Sequence, residues 1–200
     1  MEENRYKLAG WLAIVQAVLF PVAIVIGLIE AGVAAEFFNI RRPFVGPSDF
    51  LMIPFTAIAV YTLLKFRSLL HERYAYRDLD LLIIVSVWWT IAFQVCGLAF
   101  GILTSAFWPV DRVVLLVGFV AFFTGAMVSI GVVDILIAVK LLGAKERFGE
   151  YIRGFAYVTM AAGICEVTVL MSVLALLLVP VSAIVLALIF FRDQQEVEFV

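Results

Sequence analysis

The chain has 200 residues, 65% of them hydrophobic and only 15% charged, with a mean hydropathy of +1.13. Ordinary globular domains are about 45–50% apolar and about 25% charged, so a soluble core of this size has too little interior to hide so much apolar surface. The net charge of −2 comes from an even mix of signs, which excludes a nucleic-acid footprint, and no polar stretch is long enough for a separate soluble catalytic domain.

These bounds predict an all-α fold: one polytopic integral membrane helix bundle over residues 1–200, with the lipid bilayer as its first partner. A helix needs about 20 apolar residues to cross a bilayer, which leaves room for five or six spans and short loops. The first span runs over about 8–29 and carries Pro21. It exceeds the 7–15 residues typical of a signal-peptide core, which favours a retained span. Ala9, Ala13, Gln16, Ala23, Gly27 and Glu30 recur near one helical face, and such a small, polar stripe is expected to face protein. Residues 31–40 are weakly apolar and extend the helix beyond the membrane.

After a loop with Arg41 and Arg42, Ser48 or Asp49 is the expected N-cap of a second span over about 50–64, close to the lower limit for crossing. Residues 65–80 follow as the most polar stretch. Lys65, Arg67, Arg73 and Arg77 with Tyr74 and Tyr76 read as an interfacial loop, or as a contact for anionic lipid. The third span covers about 79–104, with Asp78 and Asp80 at its N-terminus. Gly97, Gly101 and Ser105 form a ladder at four-residue spacing, the pattern of a helix-packing face. The fourth span covers about 113–139, with a second ladder of Ala121, Gly125 and Ser129 and with Asp134 near its end.

From residue 154 to 191 the only ionisable acid or base is Glu166. One fifth helix over about 154–178, extended to 191, is preferred. A sixth span remains open through a hairpin around Val179–Ser182, but that turn is apolar and its backbone groups are costly to leave unpaired in lipid. With five spans, ten of the 14 lysines and arginines fall on one side, and Arg41, Arg42, Arg112 and Arg192 on the other. Basic loops stay cytoplasmic. The expected placement is the cell membrane, with the N-terminus inside and the C-terminus outside.

Depth selects the candidate ion-site residues. Glu166 and Gln94 both lie about 20 Å from the same end at 1.5 Å per residue, and Thr159, Ala162, Gly163 and Glu166 share one face. Glu166 is therefore expected to point into the bundle and meet Gln94, with Gln16 and Asp134 completing a polar set. No lysine or arginine lies mid-span to pair with it, so the carboxyl is expected to be neutral. Either it glues helices together or it binds a proton or cation.

Other chemistry is excluded by residue type. His71 is the only histidine, which excludes bis-histidine haem and argues against a histidine-based zinc site. Cys96 and Cys165 read as packing thiols, and no hydrolase, zinc-protease or nucleotide-loop motif is present. No metal, cofactor or enzymatic activity is expected. The leading reading is a membrane subunit that packs against itself or another membrane subunit through Gly97, Gly101, Ser105, Ala121, Gly125, Ser129 and Gly163. The alternative is a small transporter or channel component built on Glu166.

Overall fold

A computed structural model describes residues 5–36, 46–106, 112–168 and 172–195. Among these, six α-helices and one short 3-10 turn account for nearly every residue, and there are no strands. The helices are α1 (Arg5–Glu36), α2 (Pro47–Tyr74), α3 (Asp80–Ala106), α4 (Arg112–Gly143), α5 (Glu150–Val167) and α6 (Ser172–Gln195), with the 3-10 turn at Lys145–Arg147. Five of them, all but α5, contain a stretch long and apolar enough to cross a bilayer. Trp11, Val18, Leu28, Leu81, Trp88 and Val173 each expose more than half of their surface. Apolar surface of that kind is stable against lipid and not against water.

Two elements differ from the sequence expectation. The second span does not end near residue 64: α2 continues to Tyr74. Phe66, Leu69 and Leu70 are all buried, and their i, i+3, i+4 spacing is an amphipathic helix face. Most of the stretch read as a loop is therefore helix. The helix stops at Ala75, which adopts the left-handed conformation (φ 49°, ψ 33°), and the Tyr76 N–H donates to the Leu70 carbonyl at 3.1 Å.

The long apolar run is also not one helix. It divides after Val167, and Pro180, expected to break the chain in the hairpin alternative, lies inside α6. Thr168 is the last described residue before α6 begins at Ser172. Its N–H donates to the Ile164 carbonyl at 3.1 Å, and its hydroxyl lies 2.9 Å from that carbonyl and 3.1 Å from the Cys165 carbonyl. The terminal carbonyls of α5 are thus satisfied locally, which lowers the cost of a turn at depth. The fifth apolar span is Val173–Arg192 rather than 154–178. α5, about 27 Å long at 1.5 Å per residue, is the shorter arm of a hairpin.

This hairpin changes where the chain ends. The Tyr6 ring stacks on Phe190 at 6.1 Å, and Trp11 meets Phe191 edge-on at 5.6 Å. The start of α1 and the end of α6 therefore lie together at one end of the bundle, not at the opposite ends that five spans implied. The Tyr6 hydroxyl donates to Glu72 at 2.7 Å, Phe148 sits between Tyr74 and Tyr76 at 5.2 and 5.1 Å, and Arg192 lies over the Tyr151 ring at 4.9 Å. One end of the bundle thus collects the start of α1, the end of α2, the end of α4, the start of α5 and the end of α6. We call it the basic end.

Each helix packs on its neighbours in the chain, and α6 packs back on α1, which closes a ring. Alanines let α1 and α6 approach: Ala9, Ala13, Ala183 and Ala187 are buried, and Phe191 lies over Gly10, where a methyl group would come within 2.7 Å of its ring. The large buried side chains, among them Phe66, Leu79, Ile83, Leu141, Phe155 and Phe190, gather toward the basic end. Away from it the packing becomes one-sided. No residue of α3 from Trp88 to Ala99 is buried.

Candidate functional site

The closest helix approach is between α4 and α5, which run antiparallel through the short Ala144–Gly149 connection. Gly131 faces Gly163. A methyl group on Gly131 would lie 2.7 Å from the Gly163 carbonyl oxygen, and one on Gly163 would lie 2.7 Å from the Gly131 oxygen. Only two glycines permit backbones to come this close. Three residues beyond Gly163 stands Glu166, whose Cβ would lie 2.9 Å from that Gly131 methyl. Glu166 is 7% exposed and Thr159, on the same face, is 5% exposed. Among the described residues, neither Glu166 Oε2 nor Thr159 Oγ1 has a hydrogen-bond partner. Asp134, partly buried, lies within electrostatic range of Glu166 across the contact.

The other polar residues singled out in the sequence lie elsewhere. Gln94 does not meet Glu166: its Oε1 accepts from the Thr56 hydroxyl at 3.2 Å, tying α3 to α2. The physical reason is the ring order, which sets α2 and α4 beside α3 and leaves α5 beyond them. Gln16 Oε1 lies 3.2 Å from the buried Thr62 hydroxyl, which also contacts the Ala59 carbonyl at 3.0 Å. These two contacts are helix-to-helix pins. Glu30 reaches from α1 to the start of α2, where the Ser48 hydroxyl and N–H donate to it at 2.6 and 3.2 Å. The N-cap is Gly46, not Ser48 or Asp49. Its N–H donates to Asp49 Oδ2 at 2.8 Å, so the acid sits in the first turn where the helix dipole favours it.

No protein-family model, curated protein or solved structure matches this chain. Function has to be read from the geometry alone.

The small-residue ladders divide into two kinds. Gly163 is closed against α4. In contrast, a methyl group on Gly97, Gly118 or Gly125 would meet no atom within 4 Å, and Ala121 is exposed. The Ser129 hydroxyl donates to the Gly125 carbonyl of its own helix at 2.7 Å. Gly101 and Ser105 fall outside the described side chains. Gly131, the glycine of α4 that carries the closest contact, is not on the Ala121–Gly125–Ser129 ladder. It belongs to the stripe Thr124, Gly131, Asp134 and Ala138, whose seven-, three- and four-residue steps are the signal that locates it.

At the basic end, Asp80 accepts from Arg67 through two bonds, 3.0 and 3.2 Å, and from His71 Nε2. Arg67 and His71 are therefore engaged in tying α2 to α3 rather than free for a ligand. The Tyr76 hydroxyl donates to the Lys140 carbonyl at 3.2 Å, and Lys140 Nζ donates to the Asp78 carbonyl at 2.9 Å. Burial, with Asp78 adding to it and Arg147 opposing, pushes the Tyr76 phenol above its ordinary value of 10.0. Among the described residues, no cluster of three histidine, cysteine or acidic side chains has the arrangement of a metal site.

Proposed function

We propose that this protein is a non-enzymatic, multi-pass subunit of the cell membrane that packs a second copy of itself against the outer halves of α3 and α4. The observation that carries this reading is the open state of Gly97, Gly118 and Gly125. Lipid gives no hydrophobic drive for helix pairing, so small residues earn their place where helices approach closely. On the same α4, Gly131 is packed to contact and Gly118 and Gly125 are bare. The bare pair and Gly97 on the adjacent helix form a surface ready for further helices.

Orientation follows from charge. With the end of α6 at the basic end, Arg192 joins the basic residues of segments 65–77 and 140–153 there. Basic segments are retained in the cytoplasm, so both termini are assigned to the cytoplasmic side. Tag accessibility in intact cells checks this.

The assembly reading is tested by counting subunits in lipid nanodiscs, for wild type and for Gly97→Leu and Gly125→Leu. Wild type should be oligomeric, and each variant should shift toward monomer with its helical content unchanged, because a Cβ at either position meets no atom of its own subunit within 4 Å. A wild-type protein that is monomeric at every concentration overturns the reading.

A further inference from the structure

We propose that Glu166 is a proton-binding site inside the bundle, with Asp134 as a second acid across the α4–α5 crossing, independent of the assembly surface. Thr159 and Asp134 each lie about one helical turn to the basic side of the Gly131–Gly163 contact, and Glu166 lies one turn to the other side. The glycine pair thus brings two carboxyls from different helices to the two sides of one contact.

Charge balance makes Glu166 a proton site. α4 supplies only Asp134 between Val113 and Val139, and α6 has no ionisable side chain from Ser172 to Phe191. On α5 itself the nearest base is Arg153, thirteen residues back, and neither Tyr157 nor Cys165 is a cationic residue type. α3, which packs on α4, has no charged residue from 81 to 106 and its one further titratable type there is Cys96, so among the described residues nothing cationic faces the two acids. The two acids stand about 9 Å apart along the crossing by helical rise; a carboxylate at Glu166 loses hydration and is repelled by a second one at Asp134, and a proton bound at Glu166 removes both costs. Glu166 Oε2 is more than nine-tenths buried and among the described residues has no hydrogen-bond partner, so it is not consumed as helix glue. Thr159 Oγ1, equally buried and unpartnered, is a further polar group left open on that face. An ordinary packing carboxyl would have its oxygens satisfied.

Infrared spectroscopy of the wild-type protein in nanodiscs of zwitterionic lipid, recorded across a pH series, tests this. Exposed carboxyls are ionised at neutral pH, so a carbonyl band from a protonated carboxyl there comes from a buried acid. The expected result is such a band at neutral pH, lost in Glu166→Gln and displaced in its pH dependence in Asp134→Asn. Absence of the band in wild type overturns the proposal whether or not the variants fold. Persistence of an unchanged band in both variants also overturns it. Loss of the wild-type band on adding sodium at constant pH overturns it in favour of a metal-cation site.

Discussion

Replacing Gly131 by alanine perturbs the α4–α5 crossing with a single methyl group. That carbon would lie 2.7 Å from the Gly163 oxygen, 2.9 Å from Glu166 Cβ and 3.0 Å from Val167 Cγ2. Ordinary contact begins near 3.4 Å, so by the difference, 3.4 minus 2.7, the helices must part by about 0.7 Å. The nearest obstacle is backbone and cannot rotate away. A gap of about 0.5–1 Å forfeits roughly a quarter to a half of each contact's attraction along the seam. Overpacking of this kind costs about 1–3 kcal/mol, against a helix-propensity gain of about 1 kcal/mol for Gly→Ala. The net expectation is a loss of up to about 2 kcal/mol. Gly125→Ala on the same helix meets nothing and should be neutral or slightly stabilising. Unfolding by dodecyl sulfate in mixed micelles measures both. Gly163→Ala should cost a similar amount, and the double variant less than the two together, since one separation accommodates both methyl groups. Equal stability of Gly131→Ala and Gly125→Ala would refute the close crossing.

Ala75→Gly should stabilise the protein by about 0.5–1 kcal/mol, because glycine adopts the left-handed conformation without the cost of a Cβ; the same micelle titration reads it. Asp80→Asn should cost about 1 kcal/mol by loosening the Arg67 and His71 contacts, with a smaller effect at high salt because the group is partly exposed. Tyr76 should ionise above 10.0 in an ultraviolet absorbance titration. Since the folded state favours the neutral phenol, the stability it contributes is complete below the unfolded value and is lost as pH rises through the folded one. Thr168→Val should cost about 1 kcal/mol through the lost hydroxyl contacts that close α5.

The apolar runs made the membrane bundle legible, because hydropathy over about 20 residues responds to composition alone. The helical face holding Thr159, Gly163 and Glu166 was legible for the same kind of reason, since 3.6-residue periodicity places side chains without knowledge of neighbours. What periodicity leaves open is which helix stands opposite. Glu166 and Gln94 have similar depth, yet the ring order sends one to α4 and the other to α2. The break after Val167 was hidden because residues 168–172 hold neither glycine nor proline nor a charge. The length of α2 was obscured by its charges, although Phe66, Leu69 and Leu70 carried the helical spacing in plain view. Gly125 and Gly131 are equally small, and only the partner helix distinguishes a packed glycine from a bare one.

The stacking of Tyr6 on Phe190 makes the order of the helices cyclic as well as their packing. Every helix touches the one before and after it, and the last touches the first. A short linker from the end of α6 to the start of α1, with new ends opened at the Lys145–Arg147 turn, would therefore produce a circular permutant with every adjacent pair retained. Its new termini would lie at the same end of the bundle as the old ones, so the rearranged chain would ask for the same insertion orientation as the original.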